Sequence, residues 1–377
     1  MLNYKYDRPK AITMWDFSWL ERRWTGAGYE SWEEALDGLV LRGYDAVRID
    51  AYPHLFAADP EKEWTLNPEW DQQIWGAPAI TRVKEIKKNL IEFISLCRDR
   101  NIAVGLSSWF REDVDNTRMT ITTPERFAEI WCVVLEAIAE AGLIDAILYV
   151  DLCNEYPLDC WAMFLRNDRE YKKMVANWEI REGDHMPLSS EIAMRWLNIS
   201  LEIVRKAYPE YDYTFSGGYD GLSKEEVSVL DFLEPHIWMT TCSDFYKRVG
   251  YNFERFDSKG YINVALHAED LYKSNPEHWD GKLCDAIART AEYSRNVGKP
   301  LMTTECWGIV DYKDWPLLNW DWVKHLCALG TEKAAAEGRW IAISTSNFCG
   351  PQFVGMWRDV EWHQRLTNII KNSKLPG

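Results

Sequence analysis

Basic residues are scarce in this chain. Against 59 Asp and Glu stand only 43 Lys and Arg, giving a formal net charge of -16 over 377 residues. A nucleic-acid binder needs a basic footprint to neutralise phosphates, and anionic membranes and polyanionic substrates ask for the same. Nucleic acid and membrane surfaces are therefore not expected partners, and a neutral ligand fits better. No apolar run is long enough to cross a bilayer. The stretch from Met1 to Trp15 has no apolar h-region and no small-residue cleavage site. A cytoplasmic location is the expectation. The nine cysteines are scattered, with no C-x-x-C pair, which reads as reduced thiols rather than a disulfide framework.

Other signatures are missing too. No G-x-G-x-x-G loop follows the first strand, so a dinucleotide site has no support. No H-E-x-x-H or H-x-H spacing occurs, and no G-x-S-x-G elbow. No cofactor and no catalytic metal are expected. Low-complexity segments, flexible linkers and sequence repeats are absent as well, so residues 1–377 are expected to form a single domain.

What is present is a rhythm of short apolar strand, loop and amphipathic helix, which argues for parallel strands with crossover helices. Strands are expected at Ala11–Phe17, Asp45–Asp50, Ile102–Ser107, Ala146–Leu152, Asp212–Ser216, Phe232–Trp238, Pro300–Glu305 and Trp340–Ser344. Ser31 with Glu34, and Ser223 with Glu226, are capping-box patterns, and Thr123–Pro124 reads as N-cap and N1. Helices are expected after Ser31 up to Gly43, over Ala79–Arg100, after Thr123, through Ile192 to Ile203, and over Val360–Lys371. Eight strands of this kind predict an α/β fold, a closed (β/α)8 TIM barrel, with long loops after strands two, four and six.

Barrels of this type carry their active sites at the C-terminal strand ends. Glu155 ends strand four in DLCNE and Glu305 ends strand seven in LMTTE. Those two strands lie across the mouth of a closed barrel, so the two side chains are expected to converge. Paired carboxyl groups are what glycosidic cleavage needs: one gives a proton to the departing oxygen, the other attacks the anomeric carbon. Arg48 sits among apolar neighbours and requires a partner if buried. The chain also holds 21 Trp, 18 Tyr and 13 Phe. Trp24, Trp64, Trp70, Trp75, Trp109, Trp238, Trp279, Trp307 and Trp315 fall where loops are expected. There they either pack inward or offer flat faces to sugars.

VRID (47–50), CNEYP (153–157), EPHIW (234–238) and TTECW (303–307), in that order, resemble glycoside hydrolase clan A, most closely its family 5 cellulases and relatives. The resemblance implies a retaining β-glycosidase acting on β-linked oligosaccharides or glycosides. Glu155 would be the acid/base and Glu305 the nucleophile. It further implies that Asn154 bonds the sugar 2-hydroxyl, that Arg48 keeps Glu305 ionised, and that His236 and Trp307 line the site. Trp109, Trp238 and Asn347 are the remaining candidate substrate contacts. Three positions depart from the family pattern. Trp238 stands where a Tyr is usual, Ser107-Ser108-Trp109 where a His often follows strand three, and STSNF (344–348) where a Trp often ends strand eight. A sugar-binding barrel without turnover is the alternative that the Trp238 departure raises.

Overall fold

Local signals explain most element boundaries. The computed structural model describes residues 3–68, 81–219, 221–252, 258–310 and 318–376. Trp70, Trp75 and Trp315 lie outside the described residues. In chain order the strands are β1 (Lys10–Asp16), β2 (Ala46–Asp50), β3 (Trp64–Leu66), β4 (Thr81–Val83), β5 (Ala103–Ser107), β6 (Ile147–Asp151), β7 (Tyr213–Thr214), β8 (Ile237–Trp238), β9 (Leu301–Thr303), β10 (Cys306–Trp307) and β11 (Trp340–Ser344). The longer helices are α1 (Trp32–Leu41), α2 (Ile86–Asp99), α3 (Pro124–Glu140), α4 (Glu191–Ala207), α5 (Ser258–Ser274), α6 (Pro276–Val297), α7 (Asp321–Glu337) and α8 (Val360–Lys371). Ser31, Thr123 and Ser190 each cap a helix by accepting a backbone N–H three residues on, an interaction of about 1 kcal/mol. Gly43 adopts the left-handed φ of +82° just past α1, as a C′ glycine does.

The chain divides into two compact units. The first is built from Ile49–Asn67 and 81–234 together with Asn3 and Tyr4, the second from Lys5–Arg48 and 235–376. Strand β2 contributes to both. In the first unit the strand order is β7-β6-β5-β2, with parallel pairings such as Leu106↔Val150 and Asp151↔Thr214. In this unit Phe110, Phe127, Phe164 and Trp196 form a cluster, with ring centroids 5.0–6.4 Å apart along the chain of contacts. Gly105 of β5 is a necessity of this packing: a Cβ there would lie 2.5 Å from the Tyr149 ring. Gly105→Ala is expected to lower stability by about 1–3 kcal/mol, the usual cost of overpacking, read as a fall in the urea midpoint. A midpoint equal to wild type would contradict the close packing.

In the second unit the order is β2-β1-β11-β9, with β8 and β10 paired in parallel beside it. Helix α7 carries Gly330 at its middle, where glycine costs about 1 kcal/mol relative to alanine. The reason is Trp307, whose side chain would meet a Gly330 Cβ at 2.5 Å.

Several expectations shift. Strand six is confined to Ile237–Trp238 instead of reaching back to Phe232, because Pro235 has no N–H for a ladder. The helix expected from Ala79 starts at Ile86; Thr81–Val83 pairs instead with Trp64–Leu66 as an antiparallel hairpin. Ser223 and Glu226 bond reciprocally as a capping box does, but only a short 3-10 turn over Glu226–Val229 follows. Trp279 is not in a loop but buried in α6. Among the described residues no helix is long and apolar enough to cross a membrane.

Candidate active site

In the first unit the chemistry gathers where β5, β6 and β7 end. Asp151, fully buried at the end of β6, accepts from Ser107 Oγ at 2.7 Å, from Ser216 Oγ at 2.8 Å and from Ser216 N at 2.9 Å. One carboxylate thus ties three neighbouring strand ends together. Ser216 passes this order on, since its Oγ also accepts the Glu155 N–H at 3.1 Å. Glu155 itself has a left-handed φ of +46°, a conformation that non-glycine residues rarely adopt. Its side chain is half-buried, and its Oε2 accepts from the indole N–H of Trp161 at 3.1 Å. Asn154 is buried, and its backbone N–H donates to the Ser108 carbonyl at 2.9 Å. Trp109 is buried, with its N–H on Asp50 Oδ2 at 3.1 Å. Burial pushes the Asp50 carboxyl up to about 7, against the lowering effect of the Tyr52 and Trp109 N–H groups.

In the second unit Arg48 and Glu305 are both buried, and Arg48 Nη1 lies 3.0 Å from Glu305 Oε1. The same nitrogen donates to Thr304 Oγ1 at 3.1 Å. The other carboxylate oxygen of Glu305 lies 3.6 Å from His236 Nδ1. His236 in turn meets Trp238 edge-on, with centroids 5.6 Å apart. Trp307 is fully buried and its Nε1 donates to the Ser344 carbonyl at 2.8 Å. Asn347 Oδ1 accepts the Cys306 N–H at 2.7 Å. Two buried donors here, Trp238 Nε1 and Asn347 Nδ2, find no hydrogen-bond partner among the described residues. Such groups are costly unless something else accepts from them.

The second unit thus brings together Arg48, His236, Trp238, Glu305, Trp307 and Asn347, and the first brings together Trp109, Asn154 and Glu155. Trp64 is buried in β3, and Trp24 is exposed. Sequence reasoning missed Trp161, whose role depends on a turn with no motif of its own. It also left aside Asp16, at the end of β1, where burial pushes the carboxyl up to about 8 against the Ser18 hydrogen bonds that lower it. A cavity of about 590 Å³ lies in the first unit against Glu170, Met174, Ile180, His185 and Arg195. None of the candidate site residues lines it.

Asp16 makes a pH prediction. An unfolded Asp loses its proton near pH 4, whereas folded Asp16 holds it to about 8. Between those values the native state binds the extra proton. Its contribution to stability is therefore full below about pH 4 and is lost as pH rises toward 8. Relative to Asp16→Asn, the wild type is expected to lose urea-midpoint stability between about pH 5 and 8. A wild-type-to-variant difference that stays constant over this range would contradict it.

The profile of the family described as "Cellulase-like: Sugar-binding cellulase-like" matches residues 12–371. A crystal structure from Parabacteroides distasonis, provisionally described as a glycoside hydrolase, is 50% identical with a TM-score of 0.90, covering 98% of this chain and 95% of that one. A family 5, subfamily 18 glycoside hydrolase from Streptomyces cattleya, solved with GlcNAc, is similar at TM-score 0.57 and 10% identity, covering 98% of this chain and 82% of that one. The endo-β-1,4-mannanase from Thermotoga petrophila has TM-score 0.54 and 9% identity, covering 99% and 79%. No curated protein matches the chain. The fold is the (β/α)8 TIM barrel of cellulase-like glycoside hydrolases. The chain belongs to the sugar-binding cellulase-like family.

Proposed function

We propose that this protein is a retaining β-glycosidase that cleaves β-linked oligosaccharides or glycosides by double displacement, with its two units serving as one catalytic domain. Glu305 attacks the anomeric carbon while Glu155 protonates the departing oxygen, which leaves a covalent glycosyl-enzyme. Glu155 then takes a proton from water as that water attacks the same carbon, and Glu305 departs. Asn154 bonds the sugar 2-hydroxyl. His236, Trp109, Trp238, Trp307 and Asn347 shape the subsite. The carrying observation is the buried Arg48–Glu305 pair at 3.0 Å: a cation there favours the ionised carboxylate that a nucleophile requires. The donors on Trp238 and Asn347, which find no partner among the described residues, support a ligand rich in oxygen acceptors.

The test is hydrolysis of a panel of aryl β-glycosides by wild type, Glu155→Ala and Glu305→Ala, with and without azide. Wild-type turnover, lost in both variants, is expected. Azide is expected to give a β-glycosyl azide from Glu155→Ala and an α-glycosyl azide from Glu305→Ala. Turnover that survives in both variants overturns the assignment.

A second reading is sugar binding without turnover. It draws on the family's description as sugar-binding and on Trp238, which can only donate an N–H where relatives place a Tyr hydroxyl. Binding of a glycan with no turnover on any panel member would select it.

A further inference from the structure

The chain just past β6 folds back on itself twice. The Glu155 carbonyl accepts the Leu158 N–H at 2.8 Å, and the Leu158 carbonyl accepts the N–H groups of Trp161 at 3.0 Å and Ala162 at 2.7 Å. These consecutive turns return the Trp161 ring over Glu155, where it is buried with 6% exposure. Its Nε1 lies 3.1 Å from Glu155 Oε2.

An indole nitrogen can only donate. It therefore bonds an oxygen that is accepting, and it repels an O–H placed on that same oxygen. Two consequences follow for Glu155. The ionised carboxylate is favoured, since a hydrogen bond to the charged form stabilises it. When the group is protonated, Oε2 stays the accepting oxygen and the proton sits on Oε1. We propose that Trp161 is a positioning residue for the acid/base. It selects Oε1 as the oxygen that carries the transferable proton, and it holds the carboxyl in the orientation from which that proton is given. This inference rests on the reading of Glu155 as acid/base.

Trp161→Phe removes the donor and keeps an aromatic ring. For aryl glycosides with poor leaving groups, kcat/KM is expected to fall roughly 10–100-fold, on the scale of a lost hydrogen bond to a charged group. The alkaline limb of the kcat/KM profile is expected to move up by about one pH unit, because the acid stays protonated to higher pH. For 2,4-dinitrophenyl glycosides, whose departure needs no proton, kcat/KM is expected to change by less than about threefold. In a Glu155→Ala background assayed with azide, Trp161→Phe is expected to add no further loss.

Equal losses across all leaving groups, an unmoved alkaline limb, or a further loss in the Glu155→Ala background would each overturn the proposal in favour of a merely structural tryptophan. A measurement that does not depend on the variant folding uses wild type labelled with 15N-tryptophan. One indole N–H resonance is expected to titrate with the alkaline limb and to stay fixed in Glu155→Gln. If no indole tracks the limb, the proposal fails. Full activity of Glu155→Ala, by contrast, would sink the acid/base reading itself.

Discussion

Replacing Glu305 with alanine is expected to lower kcat by roughly 10⁵–10⁶-fold, the scale seen when a covalent nucleophile is removed. On the proposed double displacement no second route of comparable speed remains, because the attacking atom would be gone and the space left would not orient water with equal precision. The loss has a recognisable chemistry. Arg48 remains as a buried cation facing the vacated position, so a small anion has reason to enter there. Azide is then expected to restore part of the rate on glycosides with activated leaving groups, whereas a neutral nucleophile of similar size does not. Steady-state rates with and without azide decide it. A Glu305→Ala protein within tenfold of wild type would falsify the nucleophile assignment.

Arg48→Met is the second large effect, and it acts on the fold and the chemistry together. Arg48 and Glu305 are both buried, 3.0 Å apart. Removing the cation leaves a carboxylate in a site that no longer compensates its charge, a change that typically costs about 3–5 kcal/mol. The urea midpoint and Tm are expected to fall accordingly. Activity is expected to fall as well, because the proposed nucleophile, Glu305, loses its counter-charge. The double variant Arg48→Met/Glu305→Gln separates the two effects: much of the stability is expected to return, since neither charge remains, while activity stays absent. If the double variant is as unstable as Arg48→Met, the loss comes from packing around the arginine stem, not from the orphaned carboxylate.

How much of this was legible beforehand depends on the range of the signal. Strand β11 and helix α8 fall on their expected bounds, because an apolar run and a 3.6-residue period are local properties. Ser31 and Thr123 marked their helices for the same reason. Asn275 and Pro276 carried an equally local message, an N-cap followed by N1 proline, and reading it would have placed Trp279 in a helix. Arg48 could be read as needing a partner, since a buried guanidinium must have one. That the partner is Glu305 depends on strands far apart in sequence, and only the family resemblance anticipated it. The hairpin of β3 and β4 was hidden because each strand is three residues long, too short for a period of two to stand out. Trp161 was hidden for another reason. Its bond to Glu155 follows from two tight turns, and nothing in the residue types EYPLDCW specifies that the indole returns rather than points away.

The buried carboxyls at the ends of β1 and β2 change how the molecule trades protons with its buffer. The formal charge of -16 counts every Asp as ionised, yet Asp16 and Asp50 titrate only near 8 and 7. The native chain is accordingly less negative near neutrality than its composition states, and folding at pH 7 draws protons from solution. Buried His54 and His363 work in the opposite sense: burial lowers both to about 4, so below about pH 6.5 they release on folding the protons that unfolded imidazoles carry. Below that point the two exchanges partly offset one another, with Asp212, which burial raises to about 6, adding to the carboxyl side. The measured heat of unfolding near pH 7 should therefore depend on the ionisation enthalpy of the buffer.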